Sequence, residues 1–122
     1  MEPIGIVLVD DYPNLQDIAQ RFLQQQRGFQ IIGATTHKDA LAVIEQKQPQ
    51  VVIMDLGISN PDVMPNLARL HARMPGLHII ALTLFDEDCY RQAALAAGAE
   101  ALLTKEYLYS ELVPCIHRVV KA

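Results

Sequence analysis

The chain has 122 residues, and 51% of them are hydrophobic, which suits one domain that buries a sizeable core. Ten Lys and Arg residues against fourteen Asp and Glu residues give a formal net charge of −4, which opposes non-specific nucleic-acid binding. No apolar run approaches the roughly 20 residues of a membrane span, and the N-terminus lacks the basic start of a secretory signal. We therefore expect one soluble, cytoplasmic domain over residues 1–122, without direct contact with nucleic acid or membrane.

Short apolar runs alternate with segments of helical period along the chain. This alternation predicts an α/β fold with a parallel sheet that carries helices on both faces. The runs are nearly continuous, as in strands that are buried on both sides. The predicted strands are Ile4–Val9, Phe29–Thr35, Val51–Asp55, His78–Thr83 and Ala99–Leu103.

The first two predicted helices have recognisable ends. Pro13 can open the first helix, and Gly28 lies beyond its end. Thr36 followed by Asp39 resembles a capping box at the start of the second helix, and Pro49 ends that helix.

The remaining three helices follow the later strands. Pro75 and Gly76 stop the third, and the acidic run at residues 86–88 suits the start of the fourth, where the helix dipole favours negative charge. Gly98 suits the end of the fourth helix. Pro114 falls within the last helical segment and would cost roughly 3 kcal/mol in a helix interior, so we expect a start near Ser110 or a kink.

Polar side chains stand where the predicted strands end. The first strand ends in Asp10 and Asp11, the third in Asp55 and the fourth in Thr83, and Lys105 follows the fifth. In an open parallel sheet the functional site lies beyond the carboxyl ends of the strands. Three carboxylates within about 4 Å would repel one another by roughly 4 kcal/mol per pair at an effective dielectric of 20, so they are expected to bind a cation or hold protons.

The residue types in this group favour Mg²⁺ and phosphoryl transfer. Oxygen ligands with room for water suit Mg²⁺, whereas Zn²⁺ is disfavoured because no Cys or His with ligand spacing lies nearby. Asp55 would be the nucleophile, because it stands on a rigid central strand, while Asp10 and Asp11 hold the metal. Thr83 can donate its hydroxyl to a phosphoryl oxygen, and Lys105 can pair with the remaining charge.

Four short motifs resemble one known family, the receiver domains of two-component response regulators. They are Val9-Asp10-Asp11, Met54-Asp55-Leu56, Leu82-Thr83 and Thr104-Lys105, and the resemblance covers the whole chain. The stretch from Ile80 to Glu106 is especially similar to receivers that precede a helix-turn-helix output domain, in which an acidic residue commonly follows the lysine.

The resemblance implies a flavodoxin-like, doubly wound (βα)₅ fold with a five-stranded parallel sheet in the order 2-1-3-4-5. It implies a Mg²⁺-dependent phosphorylation by the phosphohistidine of a sensor histidine kinase or phosphotransfer protein, which would switch an output domain missing from this chain, in transcription regulation. The oligomeric state stays open, and a homodimer is one possibility. The implied roles are phosphoacceptor for Asp55, metal ligands for Asp10, Asp11, Asp55 and the backbone carbonyl of Gly57, and sensing of the phosphoryl group for Thr83 and Lys105.

Two departures from the family pattern affect what is expected. Ile58, Ser59 and Val63 stand where receivers usually have Met-Pro and a later Gly, so the loop after Asp55 is expected to have an altered conformation. Leu102 stands where the family usually has a Tyr or Phe that turns inward when the threonine moves. The sequence therefore does not show how phosphorylation would be relayed to the surface.

Three alternative functions make different demands on these residues. A pseudo-receiver would keep the fold and act only through protein contacts, without phosphorylation. An aspartyl phosphohydrolase would usually need a second acid two residues after its nucleophile, where this chain has Gly57, so we expect no turnover enzyme. Binding of flavin is disfavoured, because Asp10 and Asp11 stand where a phosphate loop would be needed. The four histidines lack a metal pattern and are expected to be ordinary surface or partly buried residues.

Overall fold

The computed structural model describes residues 2–11, 13–57, 61–84 and 88–121, and in the first helix it describes the side chains of Asp17 and of residues 19–24. None of the described helices is long and apolar enough to cross a membrane. The strands are β1 (Ile4–Val9), β2 (Phe29–Thr35), β3 (Val51–Asp55), β4 (His78–Thr83) and β5 (Ala101–Thr104), and the helices are α1 (Pro13–Gln24), α2 (Ala40–Lys47), α3 (Val63–Arg73), α4 (Asp88–Ala97) and α5 (Leu108–Lys121).

The five strands form one parallel sheet in the order β2-β1-β3-β4-β5. This order confirms the expected flavodoxin-like fold. The change of direction lies between β1 and β3, where the register places Val9 opposite Met54. The carboxyl ends of β1 and β3 are therefore neighbours, as the predicted site requires.

The core consists of two clusters, one on each face of the sheet. Side chains of α2, α3 and α4 pack on one face, and side chains of α1 and α5 pack on the other. The helices contribute unequally: α5 buries five residues, whereas α4 buries only Ala94. Burial of a leucine or isoleucine removes much more apolar area from water than burial of an alanine, so α5 is held more strongly to the sheet than α4.

The predicted bounds of β1 to β4 are confirmed, whereas β5 differs. It runs from Ala101 to Thr104 rather than from Ala99 to Leu103. The Ala99 N–H donates to the Ala94 carbonyl at 3.0 Å, so Ala99 still belongs to the closing turn of α4. The small apolar side chain of Ala99 suits both this turn and a strand, which is why the sequence pattern misplaced the boundary.

One predicted helix start is wrong, and a second differs by two residues. Thr36 does not cap α2, because the chain makes a turn at residues 37–39 and α2 begins only at Ala40, without a side-chain cap. The last helix begins at Leu108 rather than near Ser110, and Pro114 lies inside it. A short 3₁₀ helix over Lys105–Tyr107 leads directly into α5, and the buried apolar face of α5 offsets the hydrogen bond lost at the proline. The expected kink stays a prediction.

Gly98 follows the last residue of α4 as expected, and it lies in close contact with His71. Its φ is +124°, a region that residues with a Cβ rarely adopt, and a Cβ at this position would overlap the ring of His71. The predicted acidic residues Asp86 and Glu87 at the other end of α4, and Ile58 and Ser59 after β3, lie outside the described residues.

Substitution of Gly98 by alanine is expected to lower the free energy of unfolding by about 2 kcal/mol or more, because backbone strain adds to the overlap with His71. Chemical denaturation measures this loss. Gly76→Ala is the matched control, since a Cβ there meets nothing within 4 Å. Equal stabilities of the two variants would contradict the assigned role of Gly98.

Candidate functional site

The predicted residues stand at or just beyond the carboxyl ends of neighbouring strands. Asp10 and Asp55 are 4% and 3% exposed, and Thr83 is 2% exposed. Burial of carboxylates to this degree is uncommon, because the charged form loses its hydration. Asp10 and Asp55 also line one small cavity, whose walls are otherwise apolar. Its lining residues are Leu8, Val9, Asp10, Ala19, Ile53, Asp55 and Leu82.

Each carboxylate oxygen of Asp55 accepts a hydrogen bond. The Lys105 ammonium donates to Oδ2 at 2.9 Å, and the Gly57 N–H donates to Oδ1 at 3.0 Å. The second bond closes a turn in which an aspartate side chain accepts from the backbone two residues later, and Gly57 adopts a left-handed φ of +68° that favours glycine. Charge-assisted bonds of this kind are stronger than neutral ones, so the orientation of the carboxylate is well defined.

Asp11 lies at the rim of the site and is joined to a residue that the sequence pattern missed. Its Oδ1 accepts the backbone N–H of His37 at 2.9 Å. His37 is 5% exposed, and its Nε2 lies 2.5 Å from the backbone carbonyl of Asp55. The expectation that every histidine is an ordinary surface or partly buried residue is therefore wrong for His37. Its position two residues beyond β2, which neighbours β1, was the available signal.

Tyr90 is a second residue without a sequence signal, since it lies in the first turn of α4, away from any strand end. Its hydroxyl donates to the carbonyl of Gly57 at 3.2 Å. Burial raises the pKa of Tyr90, and the charge of Asp55 raises it further, so the hydroxyl keeps its proton as a donor. This bond ties α4 to the carbonyl that the family resemblance assigns to a metal.

The residues present fit a magnesium ion by the chemistry of their donors. The carboxylates of Asp10, Asp11 and Asp55 carry two more formal negative charges than Lys105 balances, and the Gly57 carbonyl adds a neutral oxygen. In the part of the chain that the structure describes, no three His, Cys, Asp or Glu side chains are close enough to hold a metal ion. The expected convergence of all three carboxylates on one ion is therefore not found among these residues, although Asp10 and Asp55 line the same cavity. Mg²⁺ commonly takes only one or two carboxylates and completes its shell with water. The assignment of these ligands stays a prediction.

Leu102 stands in the core rather than in the site. It is 3% exposed and pairs with Ala81 in the sheet. Two residues further along the same pair of strands, Thr83 lies opposite Thr104, which directly precedes Lys105. The position of the usual aromatic residue is thus filled by a packed aliphatic side chain.

Comparisons with known proteins agree with this geometry. The model of the response regulator receiver domain family matches residues 6–117. The chain is 30% identical over 112 residues to TcrX of Mycobacterium tuberculosis, described as a probable transcriptional regulatory protein, with 92% of this chain and 47% of TcrX covered. It is 31% identical over 120 residues to the response regulator GacA of Pseudomonas protegens, with 95% and 55% covered.

A solved structure supports the fold independently. A two-component response regulator of the LuxR family from Aurantimonas sp. SI85-9A1 superposes with a TM-score of 0.90 at 22% identity, over 98% of this chain and 86% of that one. The chain spans about half the length of TcrX and GacA. Since the family model covers nearly the whole chain and the sheet order agrees with it, this chain belongs to the receiver domains of two-component response regulators.

Proposed function

We propose that this receiver domain accepts a phosphoryl group on Asp55 in a Mg²⁺-dependent reaction, from the phosphohistidine of a sensor histidine kinase or a phosphotransfer protein. The environment of Asp55 is the main support. Its carboxylate is buried at the end of a central strand, and donors from Lys105 and Gly57 hold both oxygens. A nucleophile that is already oriented lowers the entropic part of the barrier to an in-line transfer.

In the proposed step, a lone pair of an Asp55 carboxylate oxygen forms a bond to phosphorus. The bond from phosphorus to the donor nitrogen breaks, and its electron pair stays on the leaving imidazole. Lys105 moves from the carboxylate towards the new negative charge, and the hydroxyl of Thr83 donates to a phosphoryl oxygen. The side chains thus act by position and charge.

A bound Mg²⁺ would neutralise charge on the phosphoryl oxygens. Asp10, Asp11, Asp55 and the carbonyl of Gly57 are the candidate ligands, of which one or two carboxylates would bind the ion directly while water completes its shell. Because Asp10 and Asp55 are buried at a mostly apolar cavity, water would screen the attraction between their carboxylates and a divalent ion less than at a solvated surface.

The phosphorylated domain would switch a DNA-binding output in transcription regulation. The description of TcrX as a probable transcriptional regulatory protein supports a role in transcription, and the unmatched half of TcrX and of GacA leaves room for an output domain. Receiver domains are signalling proteins rather than turnover enzymes. Since the chain itself carries a net charge of −4, contact with DNA would come from the output domain or a separate partner.

Incubation with a small acyl phosphate and Mg²⁺ is expected to add the mass of one phosphoryl group to the intact protein. Omission of Mg²⁺ or substitution of Asp55→Asn should abolish the gain, because the first removes charge neutralisation and the second removes the nucleophile. Intact-mass spectrometry measures both. A protein that gains no mass under these conditions would instead be a pseudo-receiver, and release of many phosphates per chain would indicate a phosphohydrolase.

Lys105→Met is expected to slow phosphorylation on the order of a hundredfold, the loss seen when one preorganised donor is removed from a transition state. Lys121→Met, an exposed lysine at the end of α5, is the matched control and should react like the unchanged protein. The rate of mass gain at saturating Mg²⁺ gives the comparison. Equal rates for both variants would exclude the assigned role of Lys105.

A further inference from the structure

His37 lies where the pairing of β1 with β3 ends. The register of these strands ends with Val9 opposite Met54, so the next carbonyl on this side of β3, that of Asp55, extends beyond the paired strand. The ring of His37 takes that place, with Nε2 at 2.5 Å from the Asp55 oxygen. A carbonyl oxygen can only accept, so Nε2 carries the proton. A side chain thus replaces a missing bond of the sheet.

The peptide between Asp55 and Leu56 is held from both sides. Its carbonyl accepts from His37, and its N–H donates to the Leu82 carbonyl in β4 at 2.9 Å. The orientation of this peptide sets the direction in which the chain leaves β3, and therefore the position of Gly57, whose N–H binds Asp55 Oδ1. His37 is therefore connected to the carboxylate only through the main chain.

The backbone of His37 reaches a second residue of the site. Its N–H donates to Asp11 Oδ1 at 2.9 Å, so one turn residue is bonded to Asp11 and to Asp55. His37 is 5% exposed, and hydrogen bonds shielded from water are stronger than exposed ones. The turn between β2 and α2 is thereby joined to both strand ends.

We propose that His37 is a positioning residue for the phosphoacceptor, through the bond from its Nε2–H to the main-chain carbonyl of Asp55. This inference rests on the proposed function. The side chain sets the orientation of the Asp55–Leu56 peptide, and with it the path of the chain to Gly57. Because the bond is made by the ring, its removal can be tested while the backbone bond to Asp11 remains.

The test compares two substitutions at this position. His37→Leu fills similar space without a donor, and it is expected to lower the rate of Asp55 phosphorylation at saturating Mg²⁺ by about tenfold to a hundredfold, as for other residues that orient a site indirectly. His37→Gln keeps an N–H donor and should restore most of the rate. His78→Leu is the matched control, because His78 begins β4 at the opposite end of the sheet and pairs with Glu100 there.

Rescue by glutamine separates positioning from a purely steric role. Equal loss of rate in the leucine and glutamine variants, or wild-type rates in both, would overturn the proposal. The melting temperature of each variant should lie well above the assay temperature, which would show that the loss of rate does not come from unfolding.

Nuclear magnetic resonance of the protein without phosphodonor keeps this inference separate from the proposed function. We expect the unchanged protein to show the Nε2–H form of His37, and the amide resonance of Gly57 to shift in the leucine variant but return towards its original position in the glutamine variant. A proton on Nδ1 instead, or an unmoved Gly57 resonance, would refute the role of His37. Failure of the unchanged protein to gain phosphoryl mass would refute the proposed function. The resonances would still show whether His37 donates to the Asp55 carbonyl.

Discussion

A buried carboxylate at the end of the central strand is the constraint on which the rest of the site depends. Asp55 is 3% exposed, and an ion in such a place is tolerated only when donors or cations replace its lost hydration. Lys105 supplies the charge and Gly57 supplies a backbone donor. Their positions follow from the ends of β5 and β3, so the fold itself brings the compensating groups to the carboxylate.

Much of this arrangement could be predicted, because the sequence carries it in a local form. Strands buried on both faces read as apolar runs, and each run that ends in Asp10, Asp55 or Thr83 shows both its length and the side of the sheet where the polar groups collect. The parallel order then makes those ends neighbours. Lys105 could be added because it follows the fifth predicted strand and stands in the Thr104-Lys105 motif of the same family.

The features that could not be predicted depend on contacts between distant segments. His37 has no distinctive neighbours in the sequence, and its burial results from the end of β1 beside it. Tyr90 looks like any residue in the first turn of α4 until its hydroxyl is seen on Gly57. The starts of α2 and α5 were misplaced for a related reason, since tertiary packing outweighed the local preferences of Thr36 and Pro114.

The unequal anchoring of the helices affects how the molecule can respond. Ala94 is the single fully buried side chain of α4, and Tyr90 and Ala97 pack against the core while partly exposed. The polar links of this helix include the bond from the Tyr90 hydroxyl to the Gly57 carbonyl and a 3.4 Å bond from Arg91 to the Leu102 carbonyl. A helix with so little apolar anchorage can shift or tilt at low energetic cost. The hydrogen bond of Tyr90 can therefore influence the position of α4 more than a similar bond could influence α5, where five packed side chains resist displacement.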